Sequence, residues 1–289
     1  MPGGEYREAF LQGLREYGYE EGQSVAIEWR YPDPEDASSD RRLALAEELV
    51  ALHPAVLVGV STPGPTALKA RTSQVPIVGI TMGDPVGVGL AASLARPGGN
   101  VTGLSYLSRG TTGKRLRLLK DAVPDAEHVA VLVEPANPAN ALVEQELQDT
   151  AAALGIRLQF VKSRAVRSTE IERAFVGATR EGADAFLLLA QAGFNAAAVE
   201  LTNRHRVPVM GGTAEAVRAG ALMAYGPSLA ALYHRAAYYV DRILQGTQPA
   251  DLPIEQPTVF DFVINLQTAQ ALGLIIPPHV LLQATELIP

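Results

Sequence analysis

The stretch PAVLVGVSTPGPTALKARTSQVPIVGITMGD, residues 54–84, contains two short apolar runs separated by a segment with helical spacing. The runs at 55–60 and 75–81 have the length and the Val and Ile content of buried strands, and each ends in a polar loop. Apolar strands joined through helices are typical of parallel sheets that are covered on both faces. This stretch therefore predicts one βαβ unit of an open α/β sheet.

The same alternation continues along the chain, with helical spacing between strands, as at 41–52 and 113–123. The order of strand, polar loop, helix, Val-Pro and second strand appears again at 183–215, which favours two similar units over one large sheet. We therefore predict an α/β protein with two doubly wound parallel-sheet lobes. The predicted strands are 25–31, 55–60, 75–81, 100–105, 128–134, 156–162, 184–190, 207–211 and 221–225.

The composition fits such a protein and argues against several others. The chain has 289 residues, 47% of them hydrophobic, which is enough for two lobes. Its net charge is -7 and its Lys and Arg residues form no basic run, so we expect no nucleic-acid partner. The chain has no Cys, which excludes disulfides and thiolate catalysis. Its five His residues lie far apart, so we expect neither a metal nor another cofactor.

The sequence shows neither the pattern of a membrane-spanning helix nor that of a signal peptide. No apolar run approaches the roughly 20 residues that a membrane-spanning helix needs. The first ten residues, MPGGEYREAF, lack the basic and apolar regions of a signal peptide.

The loops after the predicted strands supply the candidate binding residues, because open α/β sheets bind ligands at the carboxyl ends of their strands. Two lobes that face each other across a cleft would bring these loops together. The candidate ligand-binding residues in these loops are Ser61, Thr62, Thr81, Gly83, Asp84, Asn137, Gln191, Phe194 and Thr213.

The pair Asp84-Pro85 has the chemistry of a helix start, with Asp84 as N-cap and Pro85 at the first helical position. We therefore predict a helix that runs from Asp84 to Arg96, before the Pro-Gly-Gly at 97–99. Within it, Gly87 and Gly89 match a loose dinucleotide-binding pattern but do not directly follow the strand, so we interpret them as packing positions. Asp84 could serve as a cap, as a binding carboxylate, or as both.

Other candidate residues also leave alternatives open. The sequence GVSTPG at 59–64 has Pro63 where a nucleophile elbow requires Gly, which argues against a catalytic Ser61. Ser61 or Thr62 could instead cap the next helix or bind a ligand. Phe194 could stack on a ligand or pack locally.

Four segments carry a resemblance to a known family. They are EYREAFLQGLREYGYEEGQSVAIEWRY from residue 5, DPVGVGLAASLARPGGNVTGLS from 84, YGPSLAALYHRAAYYVDRILQGTQPADLPIEQPT from 225 and FVINLQTAQALGLIIPPHVLLQATELI from 262. In this order they resemble the substrate-binding proteins of tryptophan/tyrosine-type ABC importers. The similarity covers nearly the whole chain.

The resemblance implies a type I periplasmic-binding-protein fold, in which two lobes joined by three crossovers close by a hinge motion on a small solute. Lobe 1 would comprise 1–104 and 226–252, and lobe 2 would comprise 105–225 and 253–289. The family's ligand loops fall on the strand-end loops named above, and the resemblance adds Tyr225 to the candidate ligand-binding residues. The implied protein is a monomer without catalytic residues, periplasmic or lipid-anchored outside the cytoplasm, that delivers a solute such as an amino acid to a membrane permease.

Two other classes of function remain open from the sequence. The same fold could sense a ligand and pass its state to a receptor. An α/β hydrolase could use Ser61 or the carboxylates of Asp84 and Glu215.

The chain departs from the family at its start. Members carry a leader and a first strand before the helix that corresponds to EYREAFLQGLREYGY, whereas here only Met1 to Gly4 precede it. The first strand of a doubly wound lobe is interior to its sheet, so its loss would leave the backbone groups of two neighbouring strands unpaired, at about 1–3 kcal/mol for each buried group. We therefore expect the native product to extend further at its amino terminus.

Overall fold

The computed structural model describes residues 4–33, 38–106, 110–133, 140–162, 168–189, 200 and 204–289. The chain divides into two units, each built from two pieces of sequence. Unit 1 comprises Met1–Ser108 and Ser228–Val259, and unit 2 comprises Arg109–Pro227 and Phe260–Pro289.

The helices and strands alternate along most of the described chain. The strands are β1 (Leu57–Val60), β2 (Ile77–Met82), β3 (Val101–Ser105), β4 (His128–Val133), β5 (Arg157–Lys162), β6 (Ala185–Leu188), β7 (Val209–Gly211), β8 (Met223–Pro227), β9 (Phe260–Asn265) and β10 (Glu286–Ile288). The α-helices are α1 (Gly4–Glu16), α2 (Ser39–Ala51), α3 (Pro63–Lys69), α4 (Thr111–Ala122), α5 (Asn140–Leu154), α6 (Ser168–Arg180), α7 (Ala214–Arg218), α8 (Leu229–Leu244), α9 (Leu266–Leu272) and α10 (Pro278–Leu281). No helix in these described ranges is long and apolar enough to cross a lipid bilayer.

Unit 1 contains a three-stranded parallel sheet in the order β1-β2-β3. Side chains alternate across the sheet, as the period of a strand requires. Val78 and Ile80 pack on one face in a cluster with Phe10 of α1, and Ile77 packs on the other face in a cluster with Leu68 of α3. Because both faces are buried, the strands of this unit appear in the sequence as continuous apolar runs.

Unit 2 contains a seven-stranded sheet in the order β10-β9-β8-β7-β6-β4-β5. All neighbouring strands are parallel except β8 and β9, which are antiparallel. Along β4, Val129 and Val131 face one core cluster while Ala130 and Leu132 face another. The predicted α/β class with parallel-dominated sheets is therefore confirmed, and β9 and β10 are strands that the sequence pattern did not reveal.

The prediction of a strand at 25–31 is wrong. An isolated bridge joins Glu21 and Val25, and residues 26–33 join no strand ladder within the described ranges. Ile27 and Trp29 are half-buried against the cluster that contains Phe10. Packing against the cluster with Phe10 of α1 thus explains the apolar alternation in this segment. Alternation alone does not make a strand, because a strand also needs a backbone partner.

The segment 253–259 belongs to unit 1, although the resemblance assigned it to the second lobe. The N–H of Ile254 donates to the Leu94 carbonyl at 2.7 Å. Glu255 then forms a parallel bridge with Leu104, in which the Ser105 N–H donates to the Glu255 carbonyl at 2.8 Å. These main-chain bonds attach the segment to the edge of β3 and to the loop that precedes it.

An ion pair fastens the same segment to α8. The guanidinium of Arg235 donates to both carboxylate oxygens of Glu255, at 3.0 and 2.8 Å, and lies 3.9 Å from the ring centroid of Tyr238. The hydrogen bonds from Arg235 hold the pKa of the Glu255 carboxyl below its usual value. Tyr239 strengthens the attachment, since its buried hydroxyl donates to the Pro253 carbonyl at 2.8 Å.

Replacing Glu255 by Gln is expected to lower the free energy of unfolding near neutral pH by about 0.5–1 kcal/mol. The value is small because the two side chains are 43% and 40% exposed and water screens the pair. A carboxyl with a lowered pKa stabilises the folded state above its unfolded pKa and loses this effect as the pH falls through its folded value. Urea unfolding should therefore show the difference from the wild type shrinking toward zero below about pH 4.

The matched control is Glu47→Gln, because Glu47 pairs with Arg71 at 3.6 Å while its side chain is 74% exposed. We expect this change to cost less than about 0.3 kcal/mol. Equal losses from both substitutions, or a loss for Glu255→Gln that persists in acid, would contradict the role of the ion pair.

Candidate ligand-binding site

Two neighbouring strands of unit 1 end in residues with left-handed backbone. Ser61 directly follows β1 with φ 58°, and Thr81 lies near the end of β2 with φ 60°. Because β1 and β2 are parallel neighbours, their carboxyl ends lie at the same edge of the sheet. A residue with a Cβ pays about 1–2 kcal/mol for this conformation, and such strain concentrates at functional sites.

Hydrogen bonds between the two strand ends hold this conformation. The N–H of Ser61 donates to the Ile80 carbonyl at 2.8 Å and lies 3.3 Å from the Thr81 hydroxyl oxygen. The Thr81 hydroxyl in turn donates to the Ile80 carbonyl at 2.6 Å. The hydroxyl of Thr81 is therefore used within the protein.

Thr62 braces the next loop. It is the N-cap residue of α3, but its side chain makes no capping bond, so the alternative that it caps this helix is wrong. Its hydroxyl oxygen instead accepts the N–H of Gly83 at 2.9 Å. This bond joins the loop after β1 to the loop after β2.

The predicted helix from Asp84 to Arg96 is wrong beyond its first turn. Asp84 does act as a cap, since its Oδ1 accepts the Gly87 N–H at 2.8 Å. The turn then ends at Gly89, which has φ 72°, with the Gly89 N–H bonded to Val86 and the Leu90 N–H bonded to Pro85. This pattern is a Schellman motif, which ends a helix at a left-handed glycine.

Two polar atoms at this edge remain available to a ligand. Ser61 and Asp84 are both half-buried. The Ser61 hydroxyl and the second carboxylate oxygen of Asp84 make no hydrogen bond with any residue that the structure describes. A hydroxyl can donate and accept, and a carboxylate oxygen can accept from a cationic group.

In unit 2, Thr213 and Tyr225 are brought together by neighbouring strands. Thr213 follows β7 and is the N-cap residue of α7, although its side chain makes no capping bond. Tyr225 lies in β8, which pairs with β7 in parallel through Gly211 and Ala224. Both residues therefore lie near the carboxyl ends of adjacent strands.

The ring of Tyr225 is already covered by other side chains. The Lys114 ammonium lies 4.3 Å from its centroid, and the Phe260 ring stacks at 5.6 Å with an interplanar angle of 7°. Phe262 makes an edge contact at 6.3 Å. The phenol hydroxyl makes no hydrogen bond with a described residue, so it is the group of Tyr225 that a ligand could engage.

The sequence reading missed Lys114 and Arg115 in the first turns of α4. Arg115 is 5% exposed, in line with Leu116 and Leu119 on the buried face of the helix. The sequence did contain a signal for Arg115, because it is a charged residue on the apolar face of a helix. Charged residues are rarely buried unless they are paired, so this position predicts a polar partner. Lys114 is exposed and carried no comparable signal.

Several candidates cannot be placed. Asn137, Gln191 and Phe194 lie outside the described residues. Asp84 belongs to unit 1 and Glu215 to unit 2. Within the described ranges, no group of three or more His, Asp or Glu side chains could hold a metal ion.

Replacing Thr62 by Val is expected to lower the free energy of unfolding by about 1–2 kcal/mol, because it leaves the Gly83 N–H without its acceptor. Thr62→Ser keeps the hydroxyl and should stay within about 0.5 kcal/mol of the wild type. Urea unfolding of the three proteins measures the difference. A loss for the Ser variant with no loss for the Val variant, which keeps the methyl group, would show that the methyl group and not the hydrogen bond stabilises this edge.

Comparison with known proteins agrees with this architecture. Residues 4–288 match the model of the family described as ABC transporter substrate binding protein. A tyrosine-binding protein of Clostridioides difficile is 24% identical over 273 residues, which cover 93% of this chain and 76% of that protein.

Solved structures show the same fold. A conserved domain protein from Vibrio cholerae is 30% identical with a TM-score of 0.87, over 98% of this chain and 94% of that one. An ABC domain in complex with L-Trp from Streptococcus pneumonia is 23% identical with a TM-score of 0.86, over 98% of this chain and 95% of that one. The chain therefore belongs to the ABC transporter substrate binding protein family.

Proposed function

We propose that this protein is the extracytoplasmic solute-binding component of an ABC importer, and that its solute is an amino acid with an aromatic side chain. In this role it captures the solute and presents it to a permease in the membrane, without performing chemistry on it. Family membership supports the general role. The tyrosine named for one relative and the L-Trp bound to a structural neighbour support the class of solute.

The observation that carries the proposal is the pair of available polar atoms on Ser61 and Asp84 at the carboxyl edge of the unit 1 sheet. An amino acid has an ammonium group, and the open oxygen of Asp84 can accept a charge-assisted hydrogen bond from it. The Ser61 hydroxyl can donate to the solute carboxylate or accept from its ammonium. The Thr62, Thr81 and Gly83 contacts fix this edge in advance, which reduces the ordering cost of binding.

In unit 2, the proposal assigns binding to the strand-end residues Thr213 and Tyr225. Because Lys114 and Phe260 cover the ring of Tyr225, we propose a polar role for its hydroxyl. Another aromatic ring would then stack on the side chain of the solute. Phe194 remains the residue predicted for this contact.

Thermal unfolding with L-tyrosine and L-tryptophan at about 1 mM tests the proposal, since a dissociation constant near 1 μM would add about 4 kcal/mol to the folded state. Calorimetric titration should then show that Ser61→Ala weakens binding about 10-fold and Asp84→Asn about 10- to 100-fold. The amide oxygen of the Asn variant can still accept the Gly87 N–H, so mainly the charge is lost.

Ser73→Ala is the matched control, because Ser73 is exposed and lies between α3 and the start of β2. Its affinity should equal that of the wild type. A folded wild-type protein that binds neither amino acid would contradict the proposed solute class. Unchanged affinity in both Ser61→Ala and Asp84→Asn would contradict the proposed site.

A further inference from the structure

A buried guanidinium joins the ends of two strands in unit 2. Arg115 of α4 is 5% exposed. Its Nε donates to the carbonyl of Tyr225 at 2.6 Å, and its Nη2 lies 3.5 Å from the carbonyl of Gly212. One side chain thus contacts the backbone at the end of β7 and within the last residues of β8.

The neighbouring glycines leave the space that this guanidinium occupies. A Cβ on Gly212 would lie 3.1 Å from Nη2 of Arg115, and one on Gly226 would lie 3.2 Å from the same atom. A Cβ on Gly226 would also lie only 1.9 Å from the Gly212 carbonyl oxygen. The two strand ends therefore approach each other around the guanidinium, and a side chain would not fit at Gly226.

The orientation of these two carbonyls sets the orientation of the backbone N–H of the next residue. The peptide group is planar, so an arginine that fixes the Gly212 carbonyl also fixes the direction of the Thr213 N–H. In the same way, the bond to the Tyr225 carbonyl fixes the Gly226 N–H and the exit of the backbone from Tyr225. A guanidinium suits this task, because its planar fork of donors can bond two acceptors at once, whereas the Lys ammonium is a point charge on a flexible stem.

We propose that Arg115 is a positioning residue for solute binding, which holds the backbone of the two strand ends so that Thr213 and Tyr225 are presented in their binding arrangement. This inference rests on the proposed function of these two residues. Arg115 would act through the backbone, with no requirement to touch the solute itself.

The test compares Arg115→Lys and Arg115→Met with Arg117→Lys, in which an exposed arginine of the same helix is changed. The probes are L-tyrosine and L-tryptophan in calorimetric titrations. We expect Arg115→Lys to lose about 10-fold in affinity and Arg115→Met to lose more, because Lys can keep one of the two carbonyl bonds and Met can keep neither. The Arg117→Lys control should bind as the wild type does.

Hydrogen exchange separates positioning from a general loss of stability. In Arg115→Lys, the amides of Gly212, Thr213, Gly226 and Ser228 should exchange at least about 10-fold faster, while those of β4 and β5 remain as in the wild type. Wild-type affinity in Arg115→Lys, or faster exchange spread evenly over unit 2, would overturn the proposal. If Arg115→Met fails to fold, the Lys variant carries the test.

The same experiment distinguishes failure of the inference from failure of the proposed function. If the wild-type protein binds neither amino acid, the proposed function fails, and local exchange in Arg115→Lys still decides whether Arg115 holds the strand ends. If the wild type binds and the Arg115 variants bind equally well, the inference fails and the proposed function stands.

Discussion

The hydrogen bonds between the ends of β1 and β2 are the interactions on which the candidate site of unit 1 depends. Ser61 and Thr81 both adopt left-handed backbone, which a residue with a side chain accepts only where its surroundings enforce it. The enforcing contacts are the Ser61 N–H bond to Ile80 and the Thr62 bond to Gly83. These contacts and the bond from the Thr81 hydroxyl to the Ile80 carbonyl use the Thr62 and Thr81 hydroxyls within the protein, whereas the Ser61 hydroxyl bonds no described residue.

In unit 2, a charged side chain holds the backbone at the strand ends. Its strand ends carry glycines, which give no side-chain contacts of their own, and the guanidinium of Arg115 bonds the carbonyls beside them. A buried Arg is costly unless its donors find acceptors, and backbone carbonyls at strand ends have acceptor capacity to spare. Side-chain hydroxyls in one unit and an arginine in the other thus fix backbone at the edges where open α/β sheets bind ligands.

Much of the fold was predictable because both sheets are buried on both faces. The apolar runs predicted at 55–60 and 75–81 correspond to β1 and β2 within two residues at each end, and the following polar loops identified Ser61 and Thr81. The failures have local causes. The helix predicted after Asp84 ends after one turn because Gly89 adopts a left-handed conformation. The segment at 25–31 has strand periodicity but joins no strand ladder among the described residues.

The contacts within the site were beyond sequence reasoning for a different reason. Thr62 bonds Gly83, and Arg115 bonds Tyr225, across long separations in the chain. Residue type alone made Thr62 a reasonable helix cap, and only the folded neighbour shows that its hydroxyl serves another loop. The sequence shows Arg115 as a charged residue on an apolar helix face, but it does not show which carbonyls accept its hydrogen bonds.

A crystal structure of the protein grown with L-tyrosine or L-tryptophan would show directly whether Ser61 and Asp84 bind the solute. We expect the amino acid at the carboxyl edge of the unit 1 sheet, with polar groups within about 3.2 Å of the Ser61 hydroxyl and the Asp84 carboxylate. An amino acid bound elsewhere, with both of these groups still open to water, would contradict it.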